Sequence, residues 1–171
     1  MNKVYLIGNG YVCNFITDKY SDDFEFIGVC RSKKNNCKIN HCLDISTCTN
    51  QLKEVFQEEG SVVYLAAPQP TGVKDLTLNH FLSHIDKSKI NKIVYISTSG
   101  VYGDKKDQLV TEESELNPLT DRAKRRVDAE GQIIKSGIKY TILRVPGIYG
   151  ESRLPLKRIA DNLPLIKKDI C

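Results

Sequence analysis

The stretch Val4-Tyr5-Leu6-Ile7-Gly8-Asn9-Gly10-Tyr11-Val12-Cys13 decides the fold. Its first four residues form a short apolar run that ends at Gly8, which is typical of a buried parallel strand covered on both faces. Helical spacing follows, because apolar side chains recur at Tyr11, Val12, Phe15 and Ile16. The chain is therefore predicted to begin with a strand, a glycine turn and a helix.

The same alternation continues along the chain. Apolar runs predict further strands at residues 24–29, 39–43, 61–66, 92–97 and 140–143. Helices are predicted between them, including one over residues 73–86 and another whose apolar side carries Ala123, Val127 and Ile134. Strands separated by helix-length segments require crossover connections, which produce a parallel sheet with helices on both faces. We therefore predict a single α/β domain, a Rossmann-like doubly wound parallel sheet with strand order 3-2-1-4-5-6.

The composition is that of a globular chain. The 171 residues are 40% hydrophobic and 27% charged, and 25 basic against 21 acidic side chains leave a net charge of +4. No apolar run approaches the roughly 18 residues that a membrane span requires, and the short apolar N-terminus does not resemble a signal peptide. We expect a cytoplasmic protein with no membrane partner. A nucleic-acid partner is not expected either, because a net charge of +4 without interleaved aromatic residues is a weak signal for one.

Six cysteines are spread along the chain without a C-x-x-C pair. In a chain without a secretory signal, free thiols are expected. The alternative is a metal site built from Cys37, His41, Cys42 and Cys48. Its spacings are irregular and match no familiar zinc pattern, so no metal ligand is predicted.

The glycine turn predicts a dinucleotide site. In the fingerprint G-x-G-x-x-G/A, the first glycine permits a tight turn, and the second lets the backbone approach a pyrophosphate at the positive end of the helix. Cys13, at the third position, is small but is neither glycine nor alanine. We predict cofactor contacts from Gly8, Gly10, Tyr11 and Val12. The alternative is a plain strand-to-helix turn.

The end of the second predicted strand bears on the choice of cofactor. An acidic residue there would bind the 2′-hydroxyl of NAD, but the segment Val29-Cys30-Arg31-Ser32-Lys33-Lys34 has no carboxylate. An arginine can grip a 2′-phosphate through charge-assisted hydrogen bonds. We therefore predict NADP as the cofactor, held by Arg31, with NAD as the second choice. The alternative is a solvated basic loop.

Four motifs in a fixed order carry a resemblance to a known family. They are Gly8-x-Gly10, Tyr64-Leu65-Ala66-Ala67, Tyr95-Ile96-Ser97-Thr98-Ser99-Gly100-Val101-Tyr102-Gly103 and Leu143-Arg144-Val145-Pro146-Gly147-Ile148-Tyr149-Gly150. With them the chain resembles the NAD(P)-dependent epimerase/dehydratase family, the extended or atypical branch of the short-chain dehydrogenases/reductases, up to about residue 168. The resemblance implies an oxidoreductase-like protein similar to nucleotide-sugar epimerases, dehydratases and reductases.

The resemblance also implies roles for individual residues. Cofactor contacts are implied for Asp44 at the adenine amino group, for Ala66 and Ala67 after the fourth strand, and for Pro146 and Gly147 at the nicotinamide end. Thr98, four residues before Tyr102, matches the family's catalytic Ser/Thr, whose hydroxyl would position a substrate oxygen for hydride transfer. The alternative for Thr98 is a strand-end hydroxyl bonded to the backbone.

The family's acid/base pair is absent where the resemblance would place it. That pair is Tyr-x-x-x-Lys on the helix after the fifth strand, where the lysine lowers the pKa of the tyrosine. Arg122 replaces the tyrosine and Arg126 the lysine when the register is set by Pro118, Thr120, Ala129 and Glu130. Arginine stays protonated at any working pH, so it cannot act as a general acid/base.

Other residues near this position are candidate replacements for the missing pair. Thr120, four residues before Lys124, is a candidate catalytic residue that would orient a substrate or a water. The literal Tyr-x-x-x-Lys match that begins at Tyr102 is interpreted as chance, because its glycine argues against a helix. The basic residues of the same helix are either a solvated face or an anion site, and they are Arg122, Lys124, Arg125 and Arg126.

The domain division follows from the resemblance. Residues 1–150 are predicted to form the dinucleotide-binding domain, and residues 151–171 the start of an incomplete substrate-binding region. We expect a C-terminally truncated chain that self-associates through the apolar surface left uncovered. The predicted function is NAD(P) binding, with an unidentified small-molecule substrate and NAD(P)-dependent chemistry if the chain is active. The alternatives are a non-catalytic nucleotide-binding or regulatory protein, or a fragment without independent activity.

Overall fold

Six strands of the described chain form one parallel sheet. The structure, a computed structural model, describes residues 1–32, 36–150, 153–154 and 156–161. The strands are β1 (Asn2–Ile7), β2 (Phe24–Cys30), β3 (Ile39–Cys42), β4 (Gly60–Tyr64), β5 (Ile90–Thr98) and β6 (Tyr140–Val145). They lie side by side in the order 3-2-1-4-5-6, and every neighbouring pair is parallel. The predicted α/β class and strand order are confirmed.

A helix lies in each connection between consecutive strands except that of β2 and β3, where the described residues form none. The helices are α1 (Tyr11–Tyr20), α2 (Asn50–Val55), α3 (Leu76–His84), α4 (Asp121–Lys135) and α5 (Leu156–Ala160), with 3-10 turns at Lys87–Lys89 and Ser99–Tyr102. Helix α3 is shorter than the predicted span of residues 73–86. Its start is fixed by Asp75, whose side chain caps the helix by accepting a hydrogen bond from the Leu78 N–H at 2.9 Å.

The core lies on both faces of the sheet because successive side chains of a strand point to opposite faces. Tyr5 and Ile7 of β1 belong to the larger cluster, together with Phe56, Phe81 and Ile133. Val4 and Leu6 belong to a smaller cluster with Cys13 of α1. All four β1 residues are 9% exposed or less, which explains the continuous apolar run in the sequence.

Helix α4 departs from the predicted amphipathic pattern. Ala123 is buried as expected, but Ile134 is 52% exposed. Two charged residues, Arg125 and Glu130, are buried instead. The predicted apolar side was therefore wrong at Ile134. Arg125 and Glu130 are held in their buried positions by partners outside the helix, the Gly72 carbonyl and the Arg144 guanidinium.

Within the described ranges, no helix is long and apolar enough to cross a membrane. Cys13, Cys37, Cys42 and Cys48 are free thiols. Lys33, Lys34, Cys171 and most of the predicted second region, residues 151–171, lie outside the described residues.

Candidate functional site

A cleft runs along the carboxyl ends of the strands. It consists of two cavities of about 420 and 350 Å³, which share Gly8, Gly10 and Ala67. We name the larger the β2–β3 cavity and the smaller the β5–β6 cavity, after the strands whose ends they reach. The strand order reverses between β1 and β4, and doubly wound sheets bind ligands at such a switch point.

The glycine turn between β1 and α1 forms the floor shared by the two cavities. Gly8 has a φ of +84°, and a Cβ at this position would lie 2.5 Å from the Ala66 backbone nitrogen. Only glycine fits there. At Gly10 the nearest described atom to an added Cβ is the Gly8 carbonyl oxygen, 3.7 Å away. The space above the α1 N-terminus is therefore open, as a pyrophosphate bound at a helix N-terminus requires.

Cys13 takes the third position of the fingerprint. Its side chain is fully buried and packs in the smaller core cluster with Leu6 and Phe26. Burial raises the pKa of the Cys13 thiol to about 11, so the thiol stays protonated. Cys13 therefore serves as a small apolar contact between helix and strand.

Asn9 is a site residue that the sequence reasoning missed. It is 2% exposed, and its side-chain amide donates to Asn36 Oδ1 at 2.6 Å and to Asn40 Oδ1 at 3.0 Å. The Asn36 amide donates back to Asn9 Oδ1 at 2.5 Å. These bonds join the glycine turn to the β2–β3 connection. No periodicity could have indicated a buried amide between two glycines.

In addition to the shared Gly8 and Gly10, the β2–β3 cavity is lined by four predicted cofactor residues, Arg31, Asp44, Ala66 and Ala67. The Ser46 hydroxyl and backbone N–H donate to Asp44 Oδ1 at 2.6 and 2.9 Å. These bonds, the hydroxyl first, hold the pKa of Asp44 below its usual value, and the charge of Arg31 adds to the effect. The cavity thus presents one carboxylate and one guanidinium.

The β5–β6 cavity brings together Thr98 and four more predicted residues, Tyr11, Val12, Pro146 and Gly147. Thr98 Oγ1 accepts a hydrogen bond from the Gly100 N–H at 3.3 Å. This is the bond to the backbone that the alternative interpretation of Thr98 predicts. A hydroxyl that accepts from the backbone can still donate its own proton. Thr98 therefore remains a possible donor to a ligand in this cavity.

The structure does not bring Thr120 to the same place. Its hydroxyl caps α4 by accepting from the Ala123 N–H at 3.2 Å, and Thr120 is not among the described residues that line either cavity. The literal match at Tyr102 lies in a 3-10 turn that ends at Gly103, whose φ is +70°. As predicted, the residues of that match do not share a helix face.

The basic cluster of α4 divides into two groups. Arg122 and Arg126 line the β5–β6 cavity beside Thr98. Arg125 is buried away from it, and its guanidinium donates to the Gly72 carbonyl. Lys124 pairs with Asp121 at 3.6 Å. Of the four predicted cations, only the two four residues apart face the cleft.

Arg126 is anchored below the cavity. Its Nη1 donates to the Tyr95 hydroxyl at 2.8 Å and to the Ile96 carbonyl at 3.3 Å. Tyr95 is fully buried, and burial raises the pKa of its phenol to about 12. The phenol therefore acts as a fixed neutral acceptor for the guanidinium.

A buried acid lies behind Arg126. Asp75 is fully buried, and its Oδ2 has no hydrogen-bond partner among the described residues. Burial raises the pKa of Asp75, although the charge of Arg126 opposes the shift. The Tyr64 hydroxyl is likewise buried without a partner in the described part of the chain.

Solved structures share this fold at low sequence identity. UDP-glucuronic acid 4-epimerase from Bacillus cereus, in complex with NAD, is 20% identical, with a TM-score of 0.77 over 95% of this chain and 65% of that chain. UDP-glucose 4-epimerase from Thermotoga maritima, with UDP-glucose, is 22% identical, with a TM-score of 0.71 over 88% and 57%. The Bordetella bronchiseptica enzyme WbmH, in complex with NAD⁺, is 15% identical, with a TM-score of 0.72 over 95% and 64%. This chain therefore spans less than two thirds of the length of each.

Family membership comes from the sequence. No curated protein matches the chain significantly. Residues 21–170 match the sequence model of a family described as NAD(P)H-binding. The predicted NAD(P) binding is confirmed at this level. Because the match covers most of the chain, the protein belongs to the NAD(P)H-binding family.

Proposed function

We propose that this chain binds NAD(P)H along the cleft, with the pyrophosphate at Gly10. The observation that carries the proposal is the open N-terminus of α1, which two cavities of suitable size share as a common floor. A pyrophosphate there would accept hydrogen bonds from backbone N–H groups and meet the positive end of the helix dipole. When bound, the dinucleotide supplies hydride-transfer chemistry.

The adenosine half is assigned to the β2–β3 cavity. The Asp44 carboxylate faces this cavity, where it can accept a hydrogen bond from the adenine amino group. Arg31 is exposed at the end of β2, and its guanidinium can grip a 2′-phosphate. We therefore propose NADP(H) as the preferred form.

The nicotinamide half is assigned to the β5–β6 cavity, where Thr98, Pro146 and Gly147 come together. Arg122 and Arg126 take the two positions of the missing acid/base pair. A guanidinium cannot exchange a proton at working pH. A reaction that loses a placed acid/base slows by roughly 10²–10⁴-fold. We therefore propose that the chain acts through nucleotide binding, as a regulatory or sensing protein would.

A second candidate is slow NADPH-dependent reduction of a small carbonyl compound. The observation in its favour is the Thr98 hydroxyl, which lines the cavity and retains a proton to donate to a substrate oxygen. Loss of turnover in Thr98→Ala, at unchanged NADPH affinity, would support this candidate. Equal turnover rates in Thr98→Ala and in the unmodified chain would exclude this role for Thr98.

We also propose that copies of the chain associate along the edge strand β6. Tyr140 of β6 and Ile134 of the adjacent helix α4 are exposed and line one shallow groove. Exposed apolar groups of this kind favour association. Sedimentation should give a mass that rises with concentration, and a monomer at all concentrations would contradict the proposal.

A titration tests the proposed binding. The chain is titrated with NADPH and with NADH, and nucleotide fluorescence and heat are followed. We expect tighter binding of NADPH. Arg31→Ala should weaken NADPH binding by roughly 10–100-fold, the cost of a lost charged hydrogen bond, and leave NADH binding nearly unchanged.

Two results would contradict the proposal. If the folded chain binds neither nucleotide, the assignment of the cleft is wrong. If Arg31→Ala weakens both nucleotides equally, the NADP preference is wrong. Lys38→Ala serves as the matched control, since Lys38 is an exposed cation near β3 that does not line the β2–β3 cavity.

A further inference from the structure

The β5–β6 cavity has an unbalanced charge. Three arginines line it, Arg122, Arg126 and Arg153. Among its described lining residues there is no aspartate or glutamate. The nearby carboxylate of Glu130 is already held by Arg144 at 2.8 Å. The cavity therefore presents positive charge that no acidic side chain among its described lining residues balances.

Two of the three arginines of α4, Arg122 and Arg126, are placed to bind a ligand. Arg122 is exposed and forms no ion pair with any described residue. Arg126 uses only Nη1 for its hydrogen bonds to Tyr95 and Ile96. Its remaining N–H groups are directed to no described acceptor, so an incoming ligand can take them.

The dinucleotide assigned to this cleft does not supply the missing charge. Its pyrophosphate is assigned to Gly10, where Arg153 lies over the Tyr11 ring at 5.1 Å. The nicotinamide ring brings either no charge, when reduced, or a positive charge, when oxidised. The positive charge of Arg122 and Arg126 is therefore left over after the cofactor is accounted for.

We propose that Arg122 and Arg126 bind an anionic group, a carboxylate or a phosphate ester, of a second ligand that lies beside the nicotinamide. This inference rests on the proposed function, because the cofactor position defines which group is second. Guanidinium groups match both anions through paired N–H donors. The Thr98 hydroxyl lines the same cavity and adds a donor for the anion or an adjacent oxygen.

Binding of small anions tests the site. Inorganic phosphate, malonate and the uncharged malonamide are titrated into the chain at constant ionic strength, and heat is measured with and without saturating NADPH. We expect phosphate or malonate to bind in both conditions, while malonamide does not bind. Tighter binding of malonate would assign a carboxylate, and tighter binding of phosphate a phosphate ester.

Substitutions locate the bound anion. Arg122→Gln should weaken anion binding by roughly tenfold or more, since each lost charged hydrogen bond costs at least this factor. Arg126→Lys keeps the positive charge but loses the planar set of N–H donors. It should therefore weaken anion binding less than Arg122→Gln does. Lys124→Gln is the matched control on the same helix, because Lys124 pairs with Asp121 and does not line the cavity.

The outcomes separate this inference from the proposed function. The arginine site would be contradicted if anion binding is unchanged in Arg122→Gln, or if NADPH abolishes anion binding in the unmodified chain. In either case the anion would bind elsewhere, for example at the glycine turn. Failure of NADPH to bind would instead sink the proposed function. In that case anion binding to the chain alone, lost in Arg122→Gln, would still support the arginine site.

Discussion

Glu130 on α4 and Arg144 on β6 form a two-pronged ion pair beneath the cleft. Arg144 Nη2 lies 2.8 Å from Glu130 Oε2, and Arg144 Nε lies 3.2 Å from both carboxylate oxygens. The Ser97 hydroxyl donates to Glu130 Oε1 at 2.5 Å. The pair joins the helix that carries Arg122 to the strand that leads to Pro146. It therefore holds together the two walls of the β5–β6 cavity.

Removing one partner of this pair should destabilise the fold. Glu130 is 2% exposed, and hydrogen bonding to its carboxylate raises the pKa of Arg144. Glu130→Ala leaves the guanidinium without its counter-charge, which should lower the free energy of unfolding by about 3 kcal/mol. Denaturant unfolding measures the loss. The exposed ion pair between Asp121 and Lys124 is the control. Asp121→Asn should lower the free energy of unfolding by less than about 1 kcal/mol, and equal losses in the two variants would contradict the prediction.

Gly10→Ala should block the cofactor without harming the fold. The added Cβ meets no described protein atom closer than 3.7 Å, but it enters the space assigned to the pyrophosphate. We expect NADPH affinity to fall by roughly tenfold or more at a nearly unchanged melting temperature. Gly131→Ala, which adds a methyl group in open space on α4, should keep its affinity and gain about 0.5–1 kcal/mol of stability. Full affinity in Gly10→Ala would show that nothing approaches that backbone.

Gly8→Ala should behave differently from Gly10→Ala. Its φ of +84° and the 2.5 Å approach to Ala66 make a side chain both strained and crowded. The left-handed conformation alone costs about 1–2 kcal/mol for a residue other than glycine, and the contact adds to it. Thermal unfolding should show a clear loss of stability. A melting temperature equal to that of Gly10→Ala would refute the difference between the two glycines.

Asp75 predicts a pH dependence of stability. Burial raises the pKa of Asp75, so the fold favours its protonated form. Its contribution is therefore fully present below the pKa of the unfolded chain and is lost as the pH rises through the folded value. Asp75→Asn keeps an oxygen to cap α3 and does not titrate. Relative to the unmodified chain, the variant should gain stability between about pH 4 and pH 7. Urea unfolding at both pH values tests this, and a relative loss at pH 7 would mean that an ionised Asp75 is stabilised by Arg126.

The charge of the β5–β6 cavity should distinguish the two redox forms of the cofactor. An oxidised nicotinamide is cationic, and Arg122 and Arg126 would repel it by about 1 kcal/mol in total, or roughly fivefold in affinity. We expect NADPH to bind more tightly than NADP⁺, with a ratio that shrinks in Arg122→Gln and in high salt. Fluorescence and calorimetric titrations of both forms provide the ratio. Tighter binding of NADP⁺ in dilute buffer would contradict the assignment of the nicotinamide half.

The sheet could be predicted because its inner strands, β1 above all, are buried on both faces. Runs such as residues 4–7 and 93–96 are apolar throughout, and helix-length segments between strands permit only crossover connections. The roles of Gly8 and Gly10 could be predicted because a tight turn and an open backbone at the helix N-terminus both require glycine. The pattern of apolar residues and glycines was sufficient for those parts of the structure that depend on residues adjacent in the sequence.

The buried polar contacts could not be predicted in the same way. Arg125 and Glu130 were absent from the predicted buried face of α4, because their partners lie at Gly72 and Arg144, far away in the sequence. Asn9 gave no periodic signal either. The positions of Arg122 and Arg126 were anticipated through the family register, but their separation from Lys124 and Arg125 depends on how α4 packs on the sheet.

The Asn9 amide has a consequence for anyone who wishes to redesign the protein. It ties the turn assigned to the pyrophosphate to Asn36, in the loop that follows the proposed ribose contact. Grafting a foreign loop after β2 to switch cofactor preference would remove both bonds between Asn36 and the Asn9 side chain, which is 2% exposed and would keep its bond to Asn40. The glycine turn and the loop after β2 are therefore structurally coupled, and a successful loop exchange must replace both together.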